Sequence, residues 1–188
     1  FYDNAFGIVN RLRFRTSDSP SSGFRGYVLS LVVPDPAVVD SLIGPAIDAG
    51  ATVIKPAKKS FWGYGGVVAA PDGALWKVAS SSKKETGAPA RQIDDIVLLI
   101  GAADVAASKK FYVDHGLTVA KSFGRKYVEF AGGADAITLA LYGRKAAAKD
   151  AGVDPAGSGA HRLQITSDAG AFTDPDGFVW QVHADVAG

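Results

Sequence analysis

Thr173–Gln181 reads TDPDGFVWQ, and Ala70–Lys77, about a hundred residues earlier, reads APDGALWK. Each is a Pro-Asp-Gly turn leading into a short apolar strand with one Trp. Pro presets a turn residue, Asp bonds its own backbone, and Gly supplies the positive φ. Two hairpins this alike imply an internal repeat. A second echo agrees: Phe111-Tyr112-Val113-Asp114-His115-Gly116 answers Phe1-Tyr2-Asp3-Asn4-Ala5-Phe6-Gly7.

With 188 residues the chain holds one large domain or two small ones. A net charge of +1 gives no electrostatic case for nucleic acid or membrane as a partner. The absence of Cys excludes disulfides, thiolate catalysis and Cys-ligated zinc, and leaves the redox compartment open. No apolar run approaches the ~18 residues of a membrane helix, and no signal-like segment opens the chain. The expected location is cytoplasmic. Met is absent even at position 1, so the first strand of the first repeat is expected to precede Phe1.

Outward from the two hairpins, the periodicity predicts the remaining elements. Phe1–Gly7 reads as a helix tail stopped by Gly7. Arg11–Thr16, RLRFRT, alternates basic and apolar residues and predicts a strand with one wet face. Gly26–Val33, GYVLSLVV, predicts a strand with two apolar faces. Asp35–Gly50 carries Val38, Val39, Leu42, Ile43, Ala46 and Ile47 at helical spacing, with a kink expected at Pro45. Thr52–Lys55 and Val67–Ala70 are strands. The polar run Ser80–Arg91, SSSKKETGAPAR, is the best linker. It suggests a first half over 1–83, a linker over 84–91 and a second half over 92–188.

The second half restarts the pattern. Ile96–Ile100 predicts a buried strand. Asp104 caps a helix ending before Gly116. Leu117–Ser122, Lys126–Phe130 and Ile137–Tyr142 follow as strands, Arg144–Ala151 as a short helix and His161–Thr166 as a strand.

The order of Asp, short helix, Phe-Tyr, Gly and then Asp-Pro-Asp-Gly with its strand resembles the vicinal oxygen chelate superfamily, which includes glyoxalase I, bleomycin-resistance proteins and extradiol dioxygenases. The resemblance implies an α+β fold of repeated βαβββ modules, with curved mixed sheets around a cup. Residues 24–79 resemble a complete second module and 94–143 a complete first one. Residues 160–183 resemble a second module without its helix. From Tyr27 to Asp72 there are 45 positions, but from His161 to Asp176 only 15. Val28 and Val32 are apolar, as a helix-covered face should be. Arg162, Gln164 and Thr166 are polar, as a bare face should be.

Members of the superfamily hold a divalent metal on the cup floor. Carried over by position, the second half offers Asp95, His161 and Gln181, with His183 two residues further along the same face. The first half offers Tyr27 and Lys77. Lys77 places a cation where a carboxylate ligand belongs, so the first half is expected to bind no metal. Asp95 and His161 are competent ligands and Gln181 is a weak one. The blander reading is that Asp95 caps or pairs locally and His161 is a satisfied half-buried histidine. Trp76 and Trp180 alternate away from the cup. Trp62 and Tyr64, in a Gly-rich loop, are candidates for a pocket wall, or equally for core or surface packing.

Three readings compete. The first is a glyoxalase/bleomycin-resistance-like protein holding a small molecule in an apolar cup without metal, through Tyr27, Trp62, Tyr64, Lys77, His161 and Gln181. The second is a lyase, isomerase or dioxygenase dependent on Zn, Ni or Fe, with Asp95, His161 and Gln181 as ligands. The third is an interaction module with a filled cup. A homodimer is expected, because a short last module exposes sheet that a neighbour could cover.

Overall fold

The computed structural model describes residues 1–8, 12–88, 91–133 and 136–182. The first half contains α1 (Tyr2–Phe6), β1 (Ser21–Gly23), β2 (Tyr27–Val32), α2 (Pro36–Asp48), β3 (Thr52–Ser60), β4 (Gly63–Ala69) and β5 (Leu75–Ser80). There follow β6 (Asp95–Ala102), α3 (Val105–Asp114), β7 (Val119–Phe123), β8 (Tyr127–Phe130), β9 (Thr138–Gly143) and α4 (Arg144–Ala151). The last strands are β10 (Gly157–Gly159), β11 (Gln164–Thr166), β12 (Phe172–Thr173) and β13 (Val179–Gln181). No helix among the described residues is long and apolar enough to cross a membrane.

The runs β2-α2-β3-β4-β5 and β6-α3-β7-β8-β9 are the same βαβββ unit twice. They merge into one mixed sheet, ordered β3-β4-β5-β2-β6-β9-β8-β7. The seam is the antiparallel β2–β6 pair, with Tyr27 opposite Ile100 and Val32 opposite Asp95. Strand pairing therefore crosses the 84–91 segment. Asp35 fastens that segment down. Its carboxylate caps α2 by accepting from the Ala37 and Val38 amides, and it also accepts from the Thr86 amide, the Thr86 hydroxyl and the Ala88 amide.

Alternation divides the sheet into two faces. Tyr27, Leu29, Leu31, Trp76, Val78, Ile96, Leu98 and Ile100 join the large core with Val38, Val39 and Leu42 of α2 and Tyr112 of α3. The opposite face carries Val28, Val67, Leu75, Leu99 and Tyr142, covered by Ala147, Ala148 and Ala151 of α4. This second face is the cup face.

After α4 the chain adds two small sheets, β1 with β10, and β11-β13-β12. One side of the latter packs Phe172 and Trp180 against Phe111 and Tyr112 of α3. The other side carries Gln164, Val179 and Gln181 with no helix over it among the described residues. The missing helix was legible in the short His161–Asp176 spacing.

The repeat is visible in the rings. Tyr2 meets Trp76 at 5.5 Å and 52°, and Tyr112 meets Trp180 at 5.2 Å and 48°. In both halves the Phe-Tyr helix end covers the Trp after the Pro-Asp-Gly turn.

Two expectations fail. Described residues 12–16 form no strand, and Arg11 lies outside the described residues. The faces of β2 are inverted: α2 packs on the side of Tyr27, Leu29 and Leu31, while Val28 lies under α4 and Val32 is exposed. GYVLSLVV is apolar on both sides, so period-two alternation cannot say which side faces which layer.

Candidate functional site

The cup face is a short grid fixed by strand register. One row is Leu75, Val28, Leu99 and Ala140. The next is Lys77, Ser30, Val97 and Thr138. The rim row is Ala79, Val32 and Asp95. Beyond β9, strand β8 adds Tyr127 and Glu129, opposite Tyr142 and Ala140.

The grid is apolar at one end and polar at the other. α4 lies on the apolar end. The polar end holds two carboxylates, each with a hydroxyl partner. Thr138 Oγ1 donates to Asp95 Oδ2 at 2.9 Å, and Tyr127 Oη donates to Glu129 Oε2 at 2.8 Å. Burial first, then the hydrogen bond and charge of Glu129, and last the charge of Asp95 push the Tyr127 phenol above its ordinary range. Lys77 stands between the two ends and bonds Asp150 of α4 at 2.6 Å.

The residues singled out in the sequence scatter. Lys77 and Asp95 lie on the cup face. Tyr27 is buried in the opposite core, edge-on to Phe178. Tyr64 donates to Asp40 of α2 at 2.9 Å, on the helix side. Trp62 is 83% exposed at the β3–β4 tip beside Phe61. His161 stacks on Phe178 at 4.0 Å, and its two ring nitrogens face the carbonyls of Arg25 and Asp176 at 2.5 and 3.1 Å. Gln181 accepts from the Gln164 amide. His183 lies outside the described residues.

As a set of metal donors these residues do not fit. Asp95 is opposite Val32, at one end of β2, whereas His161 is bonded at Arg25, before the other end at Tyr27. At ~3.3 Å per residue the length of β2 alone puts roughly 16 Å between those ends. No three His, Cys, Asp or Glu side chains converge among the described residues. Lys77 lies on the cup face opposite Ser30, and an ammonium there repels a cation.

Sequence reasoning missed Tyr127, Glu129, Thr138 and Asp150. The first three were within reach: Tyr127 and Glu129 alternate with Val128 and Phe130 in a predicted strand, which puts them on one face. Asp150 was not, because nothing local places α4 on the sheet.

No protein-family model matches the sequence, and no curated protein matches it either. Solved structures do. A candidate dioxygenase from Bacillus subtilis superposes with a TM-score of 0.54 at 12% identity, over 90% of this chain and 65% of that one. A glyoxalase I variant from Zea mays gives a TM-score of 0.49 at 16% identity, over 87% of this chain and 68% of that one. This chain thus spans a little under two thirds of the Bacillus protein's length. The chain shares the α+β fold of that Bacillus protein and is built from paired βαβββ modules.

Proposed function

We propose that this chain binds a small organic molecule on its cup face without a metal. Lys77 carries the reading. Its ammonium sits on the sheet face, where it disfavours a divalent cation and already holds one carboxylate, that of Asp150, at 2.6 Å. Around it are the apolar residues Val28, Val97 and Leu99 and the polar groups of Ser30 and Thr138, the mixture that small-molecule sites use. The assembly we propose is a homodimer, since the outer strand β7 is exposed over residues 120–123.

Ligand-induced thermal shift over a panel of aromatic and aliphatic acids tests the binding. Molecules that raise Tm in wild type and fail in Lys77→Ala support it. Shifts that appear only after Zn, Ni or Fe is added would favour the metal-dependent enzyme instead.

A further inference from the structure

We propose that α4 is the built-in occupant of a site for an apolar anion: it lies where a molecule with an apolar body and a carboxylate or sulfonate head would bind. This rests on the small-molecule reading above and names the class of molecule. The body of the mimic is three methyl groups, those of Ala147, Ala148 and Ala151, set against Val28, Val67 and Phe24. Its head is the C-terminal end of the helix. Lys77 Nζ bonds the Asp150 carboxylate at 2.6 Å. Lys55 Nζ donates to the Lys149 and Asp150 carbonyls at 2.9 and 2.5 Å. Two ammonium groups thus converge on a carboxylate and on carbonyls bearing the negative end of the helix dipole. An organic anion offers both lysines the same charge and the same acceptor oxygens.

α4 packs on the sheet through small side chains, with Arg144 in its first turn donating to the Pro155 and Phe24 carbonyls. α2 buries Val38, Val39, Leu42 and Ile43, and α3 buries Val105 and Tyr112, but α4 buries only alanines. No side chain caps its N-terminus. Gly143, the last residue of β9, precedes it, and Gly152, in the left-handed region at φ 86°, ends it. With α4 displaced, the uncovered surface is Val28, Val67, Leu75, Leu99 and Tyr142, with Lys55 and Lys77 at its border.

The probe is anilinonaphthalene sulfonate, an apolar anion that fluoresces when bound, with decanoate as competitor. Asp150→Asn removes the charge that Lys77 holds. It should bind the dye about tenfold more tightly than wild type, a change of ~1.4 kcal/mol. Decanoate should displace the dye, and amides 147–151 should exchange hydrogen faster. Lys77→Ala in the Asp150→Asn background should lose the gain, and the exposed control Lys145→Ala should match wild type. Lys55→Ala loosens α4 from the other side, so faster exchange in this second variant tests displacement should Asp150→Asn fail to fold. Unchanged dye affinity and unchanged exchange in Asp150→Asn would overturn the proposal. Acids that bind wild type while amides 147–151 stay protected would sink the α4 proposal and leave the binding reading standing. Faster exchange with no dye bound to any variant would sink the binding reading itself.

Discussion

The Tyr112 hydroxyl donates to Asp174 Oδ2 at 2.5 Å, joining the end of α3 to the second Pro-Asp-Gly hairpin. Asp174 is buried and takes three further donors: Trp180 Nε1 at 3.0 Å and the amides of Asp176 and Phe178 at 3.0 and 2.9 Å. A buried carboxylate needs such partners to stay ionised.

Tyr112→Phe removes one charge-assisted bond and should cost about 1.5–3 kcal/mol in urea denaturation. Burial, then the Asp174 bond and charge, push the Tyr112 phenol above its ordinary 10.0. A raised value means the contribution is fully present below pH 10.0 and lost as pH climbs through the folded value. The penalty should therefore hold constant from neutral pH to about 10. A penalty that fades between pH 7 and 9 would contradict this.

The first hairpin lacks that carboxylate. Ala70 stands where Asp174 does, Tyr2 turns to Asp72 Oδ2 at 2.7 Å, and Trp76 Nε1 is buried with no hydrogen-bond partner among the described residues. Ala70→Asp should recreate the second arrangement, because Trp76 Nε1 and the amide of residue 72 lie at the matching positions and Tyr2 and the Ala74 amide, now on the Asp72 carboxylate, can turn to it. Stability should rise by about 1 kcal/mol. A lower urea midpoint would show that the two hairpins are not equivalent inside.

Asp35 is held near pKa 2, first by the Thr86 amide and then by the Thr86 hydroxyl. A depressed carboxylate stabilises the fold above its unfolded value of 3.8 and loses that contribution as pH falls towards about 2. Asp35→Ala should be less stable than wild type at neutral pH, and the gap should narrow between pH 4 and pH 2. Equal stability at pH 7 would mean that the 86–88 segment does not need this anchor.

Asp150→Asn should cost no more than about 1 kcal/mol of global stability, because the Lys77–Asp150 pair is a third or more exposed and screened by water. A larger loss in urea would mean that α4 is part of the folding core.

What the sequence carried most clearly was chemistry confined to a few neighbours. Asp104 caps a helix, Gly7 ends one, and each Pro-Asp-Gly turn with its Trp sits where the repeat puts it. Hairpin turns and caps are decided within about four residues, so a linear reading suffices. Layer assignment is not local. β2 is apolar on both sides, and only the tertiary partners decide that Tyr27 joins the core while Val28 meets α4. The cup was misjudged for the same reason. RKAAAKDA shows no strong apolar stripe, and nothing local places its alanines on the sheet. His161 and Gln181 were carried over by position, yet they lie outside the grid, because β11–β13 form a sheet of their own.

Ligand binding to protein stripped of metal by a chelator tests the central claim most directly. Isothermal titration of decanoate into chelator-treated wild type and Lys77→Ala should show saturable binding in the first and at least tenfold weaker binding in the second, the loss of one charge-assisted contact worth ~1.4 kcal/mol. Binding absent from the stripped protein and restored by one equivalent of Zn²⁺, Ni²⁺ or Fe²⁺ would contradict it.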